Sequence, residues 1–348
     1  EWKTLVDKRK YGVLTIADKI QLKKLRPAIQ TLEDKIAKYM NQWLCFIKRT
    51  SGKPTVFEEH SCMQRLPGKN PDNEMELVRF FTVRSPSDAE MAYRGDGFFI
   101  EGSKGRKSPM SIWLDNNNAR VANRPEFNPS GHENPQVFNL FRGMGVEKDD
   151  GAEDQAQMDI LRKHILDIWC NGEEAVCSYL LNWMAHLVQF PGVKMISCPV
   201  LKGGQGAGKG IIIQKLGAIL GQTHFIAVTD ANAVLGQYQQ EKTLTNLLTF
   251  LDECTFSGDK KQASALKGLL SEDTRYWTAK YVNGYTIRNC SNFIIASNYD
   301  AIVFKEIDDR RFLCLELDNR FAGPATAETR AYFNRLAAVP NAAFAHFL

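Results

Sequence analysis

Leu201-Lys-Gly-Gly-Gln-Gly-Ala-Gly-Lys-Gly-Ile-Ile-Ile213 decides the fold. The apolar run Ile196 to Val200, broken by Pro199, precedes it, and a second apolar run, Ile211 to Leu220, follows it and closes on Gly221. The order is strand, Gly-rich loop, helix. Gly203, Gly208 and Lys209 fit the spacing G-x-x-x-x-G-K, in which glycine backbone N–H groups curl around phosphate oxygens without Cβ clashes. The helix N-terminus adds partial positive charge, and a lysine at that place reaches the β- and γ-phosphates. Gly203, Gly204, Gln205, Gly206, Ala207, Gly208, Lys209 and Gly210 are therefore the candidate ATP-binding residues. The alternative is a Gly-rich turn ahead of an ordinary helix. Gly210 stands where the pattern has a Ser or Thr that ligates Mg²⁺, so the ion must rely on an acid elsewhere, water and the nucleotide.

Downstream, Leu247-Leu-Thr-Phe-Leu-Asp-Glu253 is an apolar strand ending in two acids. After a P-loop it reads as the strand that brings Asp252 to Mg²⁺ and Glu253 to the attacking water, side by side with the P-loop strand in a parallel sheet. A third strand, Asn292-Phe-Ile-Ile-Ala-Ser-Asn298, ends in an amide suited to the γ-phosphate and the lytic water, or else to capping a turn. Asp308-Asp-Arg-Arg-Phe-Leu-Cys-Leu-Glu-Leu317 sets Arg310 and Arg311 before another strand. Either guanidinium can stabilise phosphoryl-transfer charge or pair with Asp308 or Asp309. Tyr276 to Arg288 carries Asn283-Gly284 between β-forming residues, a hairpin signal, with Lys280, Tyr281 and Tyr285 flanking its tip. Such a finger suits a phosphate backbone and a stacked base, or is a surface hairpin.

The rest of the chain bounds these readings. With 348 residues there is room for two or three domains, and 44% apolar and 24% charged residues are ordinary for a globular chain. No apolar run approaches the roughly 20 residues of a membrane span. The eight cysteines form no CxxC pair and read as buried free thiols of a reducing compartment. A net charge of +4 is too mild to prove nucleic-acid binding, although Lys3 to Arg49 is basic and Glu147 to Asp159 acidic. The chain begins at Glu1 and ends on Ala342 to Leu348, and both ends read as cuts in a longer protein.

The expected class is α/β, a parallel sheet flanked by helices, preceded by a helical subdomain and a small α+β region. The expected division is a helical segment over 1–42, a small α+β subdomain over 43–130 and a helical subdomain over 131–190. A P-loop core follows over 191–320, then a truncated helical segment over 321–348. In the second of these, Phe80-Phe81 and Phe98-Phe99 read as core rather than a stacking platform, and Arg120 to Arg124 as a basic loop. His164 and His186 read as packed or surface histidines, not ligands.

The order of parts resembles a superfamily 3 helicase of the AAA+ class. Asn134-Pro-Gln-Val-Phe-Asn-Leu-Phe-Arg-Gly, Leu180-Leu-Asn-Trp-Met-Ala-His-Leu-Val-Gln and Leu266-Lys-Gly-Leu-Leu-Ser-Glu narrow it. Together they resemble the helicase-like C-terminal part of phage primase-polymerases, in a primase-helicase group shared with poxviruses. The resemblance covers about 130 to 320 well and 1 to 130 loosely. It implies an AAA+ core, a ring, usually hexameric, with ATP and Mg²⁺ between subunits, and hairpins lining a channel through which single-stranded or forked DNA moves. It also implies a primase-polymerase domain N-terminal in the same chain and a phage protein acting in the bacterial cytoplasm, with no membrane partner. By position it implies Lys209 on the phosphates, Asp252 on Mg²⁺, Glu253 on water, Asn298 as sensor, Lys280 on DNA, and Arg311, with Arg310 second, as a finger offered to the neighbouring subunit. Because of Gly210, a nucleotide-binding ring or DNA clamp that hydrolyses little stays open, as does a P-loop small-molecule kinase, which leaves the acid pair, amide and arginines unexplained together.

Overall fold

The computed structural model describes residues 30–48, 53–65, 75–96, 98–99, 106–131, 134–146, 155–236, 241–254, 260–278, 284–298 and 309–348. Helix α1 (residues 30–40) leads into an antiparallel meander, β1 (Leu44–Ile47), β2 (Thr55–Arg65) and β3 (Met75–Arg84). Helices α2 (Pro86–Ala92) and α3 (Pro109–Asp115) follow, each opened by a serine cap and a proline in its first turn. Strand β4 (Val121–Ala122) then joins β1 in parallel, giving the order β3-β2-β1-β4. Phe98–Phe99 forms only a two-residue strand against Arg106–Lys107. Alternation splits the neighbouring aromatics: Phe81 is buried in the main core, whereas Phe80 is exposed.

The helical expectation for 131–190 holds only from α4 (Gln155–His164) and α5 (Glu174–Gln189) onward. Before them, Val137–Asn139 is a strand paired in parallel with Arg124–Glu126, and the chain stays irregular to residue 146. Local chemistry overrides the apolar pattern there. The Asn139 side chain bonds the backbone of Asn128 as acceptor (3.1 Å) and donor (3.0 Å), and Gly143 takes φ +87°. After α4 the helix widens into one π-helical stretch, Ile165–Trp169, whose Ile168 carbonyl accepts from Asp318 N–H at 2.8 Å.

Strand β5 (Cys198–Lys202), the Gly-rich loop and α6 (Lys209–Leu220) come next, followed by β6 (Phe225–Val228), β7 (Leu248–Asp252) and α7 (Lys260–Ser271). A hairpin of β8 (Thr274–Trp277) and β9 (Tyr285–Arg288) precedes β10 (Asn292–Ser297) and β11 (Phe312–Glu316). Helices α8 (Ala327–Ala338) and α9 (Asn341–Phe347) close the described chain.

Five of these strands form one parallel sheet in the order β6-β7-β10-β5-β11. Strand β6 has no counterpart among the expected strands, because its four residues sit in a polar stretch. The expected adjacency of the P-loop and Asp-Glu strands is corrected: β10 lies between β5 and β7. The chain leaves β5 for the far edge and returns, so the space between β5 and β7 is filled by the later strand. Both faces of the sheet are covered, as all-parallel sheets require. Leu201, Phe250, Ile294 and Leu315 enter the main cluster with α6, whereas Val200, Leu251, Ile295 and Phe312 enter a second one with Leu266 and Leu270 of α7.

The main cluster also takes in Phe57 and Phe81 of the N-terminal sheet. Polar contacts reinforce that junction: Arg79 N–H donates to Thr223 Oγ1 (3.0 Å) and Val83 N–H to Glu241 Oε1 (3.0 Å). Six cysteines are buried free thiols; Cys62 and Cys314 are exposed, contrary to expectation for those two. Among the described residues no helix is long and apolar enough to cross a membrane.

Candidate nucleotide site

Three adjacent strands, β7, β10 and β5, deliver their C-terminal ends to one place. Register sets Asp252 beside Ala296, and Ser297 beside Lys202, so Glu253, Asn298 and the Gly-rich loop all emerge from the same edge. This is the position at which parallel α/β sheets open a crevice.

The loop is held from outside. Gly204 N–H donates to Asn319 Oδ1 (2.7 Å), and Gly323 N–H donates to the Gln205 carbonyl (2.9 Å). Gly208 has φ +87°, and a Cβ there would stand 2.7 Å from Phe333 Cε1 and 2.8 Å from His164 Cε1. Glycine is therefore required at that place on both conformational and steric grounds. Gly210 differs: an added Cβ would meet nothing within 4 Å.

Lys209 begins α6 and is buried at 8% exposure. Its Nζ donates to the Gly203 carbonyl at 2.6 Å and to Asn298 Oδ1, and lies 3.7 Å from Glu253 Oε1. Burial pulls its pKa down, and Glu253 and Asp252 work against that. Asp252 is half-buried; burial first, then the neighbouring Glu253 charge, lifts its pKa, with Lys209 opposing. Glu253 has φ +54°, a left-handed conformation that costs a non-glycine residue about 1–3 kcal/mol. It is fixed there by its N–H to the Ala296 carbonyl (2.8 Å), and its Oε2 accepts from Asn298 N–H (3.3 Å). Two carboxylates thus face one lysine, an excess of negative charge that suits a cation. Among the described residues no three His, Cys, Asp or Glu side chains group so as to hold a metal, so a cation there needs ligands from elsewhere.

The remaining expected site residues separate. Arg311 is tied within its own chain: Nη1 lies 3.2 Å from Asp309 Oδ1 and Nε donates to Ser271 Oγ at 3.0 Å. Lys267 bonds the other Asp309 oxygen at 3.0 Å. Burial of Asp309 raises its pKa, but the Lys267 and Arg311 hydrogen bonds outweigh it and hold the carboxyl below the usual range. Arg310, next in the turn, is exposed. The β8–β9 hairpin forms as expected, with Trp277 opposite Tyr285. Tyr285 is not at its tip: it is 7% exposed, its hydroxyl pairs with Thr55 Oγ1, and its ring meets Phe57 edge-on at 5.7 Å. Strand alternation turns Tyr285 and Ile287 inward, so the expected base-stacking role for Tyr285 is corrected. Lys280 and Tyr281 lie outside the described residues.

The support behind the loop leaves no mark in the sequence. His164 is buried, and its Nδ1 pairs with Tyr332 hydroxyl at 2.9 Å; burial pushes its pKa down to about 4. Its packed character matches expectation, but nothing in its spacing links it to Gly208. Asn319, three residues beyond β11, likewise carries no local signal of its bond to the loop.

A Gly-rich strand–loop–helix, an acid pair and an amide, gathered at one edge of a parallel sheet in a mixed α/β protein, define the class. The model of a family of unknown function, DUF5906, matches residues 201–311. The DNA primase-polymerase of Nitratiruptor phage NrS-1 is 26% identical over 190 residues, which are 54% of this chain and 26% of that protein. The apo structure of the NrS-1 C-terminal region (305–718) matches with a TM-score of 0.57 at 20% identity, covering 87% of this chain and 65% of that one. Its A form gives 0.55 at 21% identity, covering 79% and 62%. The chain is thus related to the phage protein and shares the fold of its C-terminal region, and it spans about a quarter of the full relative.

Proposed function

We propose that this chain is the ATP-driven DNA translocase, or helicase, module of a phage replication primase-polymerase. It works as an AAA+ ring of superfamily 3 type, hexameric by that reading, with Mg·ATP between subunits. The observation that carries the proposal is the convergence of Lys209, Glu253 and Asn298 on one another, beside Asp252, at the ends of three neighbouring strands.

Lys209 exchanges its bonds to Gly203 and Asn298 for the β- and γ-phosphates. Asp252, its pKa raised by burial and by the Glu253 charge, would hold Mg²⁺, which would neutralise charge on the phosphates. Glu253, the more exposed acid, orients and deprotonates the attacking water. Asn298 shares its backbone bond with Glu253 and offers its amide to the γ-phosphate, coupling phosphate occupancy to the base. Arg310 is the guanidinium open to a neighbouring subunit, because Arg311 is held by Asp309 and Ser271; this reverses the order taken from the resemblance. Lys280 and Tyr281, which fall between Trp277 and Tyr285 in the sequence, contact single-stranded or forked DNA in the channel. The NrS-1 relative is named a DNA primase-polymerase; by analogy, a primase-polymerase domain N-terminal to this chain, acting in the host cytoplasm, is part of the proposal.

Steady-state ATPase assays with and without single-stranded DNA test the proposal. Wild type should hydrolyse ATP faster with DNA, and Glu253→Gln should bind ATP but lose turnover by ~10²-fold or more. Normal turnover in that variant would remove Glu253 as the base. The second reading, a nucleotide-gated DNA clamp, draws on Gly210: binding without measurable turnover in wild type would select it.

A further inference from the structure

We propose that the cleft lined by β2 and β3 of the N-terminal sheet, Trp43, Arg120 and Arg142 binds the phosphate backbone of single-stranded nucleic acid, as a second contact separate from the nucleotide crevice and the hairpin. The cleft measures about 450 Å³, and its lining includes Trp43, Glu59, Leu77, Arg79, Arg120 and Arg142.

Its charge comes from three elements. Arg79 lies on β3 on the face that also carries Phe81, Arg120 precedes β4, and Arg142 follows the Val137–Asn139 strand. Among the described residues of the lining there is one carboxylate, Glu59 on β2, and it pairs with two of the three: Arg142 Nε donates to it at 2.8 Å, and Arg79 Nε is 4.0 Å away. Arg142 is anchored further by Nη1 to the Asn139 (2.6 Å) and Phe141 (3.0 Å) carbonyls. It lies over Phe81, 4.9 Å from the ring centre. It therefore supplies fixed charge at the floor. Burial lowers its pKa, Glu59 offsets this, and Arg120 and Arg79 lower it again; with three guanidiniums and one carboxylate among the described lining residues, the cleft keeps surplus positive charge.

Arg79 and Arg120 are the groups placed to touch a ligand. Arg79 has 42% of its side chain exposed. Arg120 is exposed and rests on Phe138 at 4.7 Å, a face contact that uses none of its N–H donors. Guanidiniums bind phosphate oxygens in bidentate fashion. The cleft also has the half-buried Trp43 and the exposed Leu77 beside the charges. Guanidiniums next to an aromatic and an apolar wall suit a strand whose bases are unpaired, since each base offers a face to pack and each linkage an anion.

Fluorescence anisotropy of a labelled oligo-dT with the full chain, titrated at several salt concentrations, tests this. Arg79→Gln/Arg120→Gln should weaken binding by ~10-fold and flatten the salt slope by about 1.4, or ~0.7 for each phosphate no longer neutralised. Lys163→Gln/Arg335→Gln removes the same net charge from exposed places outside the cleft and should leave both quantities near wild type. ATP affinity should stay unchanged in both, so failure here is separable from failure of the nucleotide site. Equal affinity and slope in wild type and the cleft variant would overturn the proposal, as would equal losses in the two double variants. Displacement of the strand by free ATP in a Lys209→Ala background would assign the cleft to a mononucleotide and overturn it too.

Discussion

At Lys209 a buried ammonium meets a carbonyl, an amide oxygen and a carboxylate, and each partner comes from a different part of the chain. Gly208 was legible from the G-x-x-x-x-G-K spacing, and the structure adds that its φ and its crowding both demand glycine. Gly210 was legible as a departure, and the structure adds that its missing side chain leaves open space. Gly210→Ser should therefore fold without strain and put a hydroxyl beside the first turn of α6. The expected result is an unchanged or slightly raised melting temperature and a several-fold tighter Mg²⁺ dependence of ATP binding, roughly 1 kcal/mol for one added ligand hydrogen bond or coordination. No change in the Mg²⁺ dependence would show that the ion is not held at that side of the loop.

At the scale of elements, two buried histidines seal junctions. His164 ends α4 behind the Gly-rich loop, and His224 precedes β6, stacked on Phe141 at 5.1 Å with Nδ1 2.7 Å from the Thr245 carbonyl. Burial lowers both pKa values to about 4, from 6.5. Between those limits the unfolded chain binds protons that the folded chain refuses. Stability is therefore full above about pH 6.5 and falls as pH drops towards 4, by up to ~1.4 kcal/mol per pH unit for each histidine. Urea midpoints between pH 7 and 4.5 should show the decline, and His224→Gln should flatten it; a pH-independent midpoint would mean the rings are not held neutral.

The strands were legible where apolar runs ended in chemistry: β5, β7, β10 and β11 begin and end within about two residues of their expected places. Their order was not, because the side-by-side placement of strands is a tertiary fact that no local spacing encodes. Val137–Asn139 failed as a helix because asparagine side chains bond backbone locally, a competition that hydrophobic periodicity ignores. Tyr285 failed as a tip residue because strand register, not proximity to Asn283-Gly284, fixes which side it faces.

Across the whole molecule, the N-terminal sheet and the nucleotide core share one apolar cluster and are bonded through Thr55, Arg79 and Val83. Nothing in the sequence of residues 43–130 signalled this. Arg79 belongs to both parts, meeting Thr223 through its backbone and lining the basic cleft with its side chain. The fold likeness to the NrS-1 C-terminal region takes in 87% of this chain.

The most direct measurement is titration calorimetry of Mg·ATP into the wild-type chain and into Lys209→Ala. Saturable binding in the wild type and a loss of ~30-fold or more in the variant, with both proteins folded by circular dichroism, is the expected result, because the variant deletes the charged donor to the phosphates. Equal affinity in the two proteins would contradict the placement of a triphosphate between Lys209, Asp252 and Asn298.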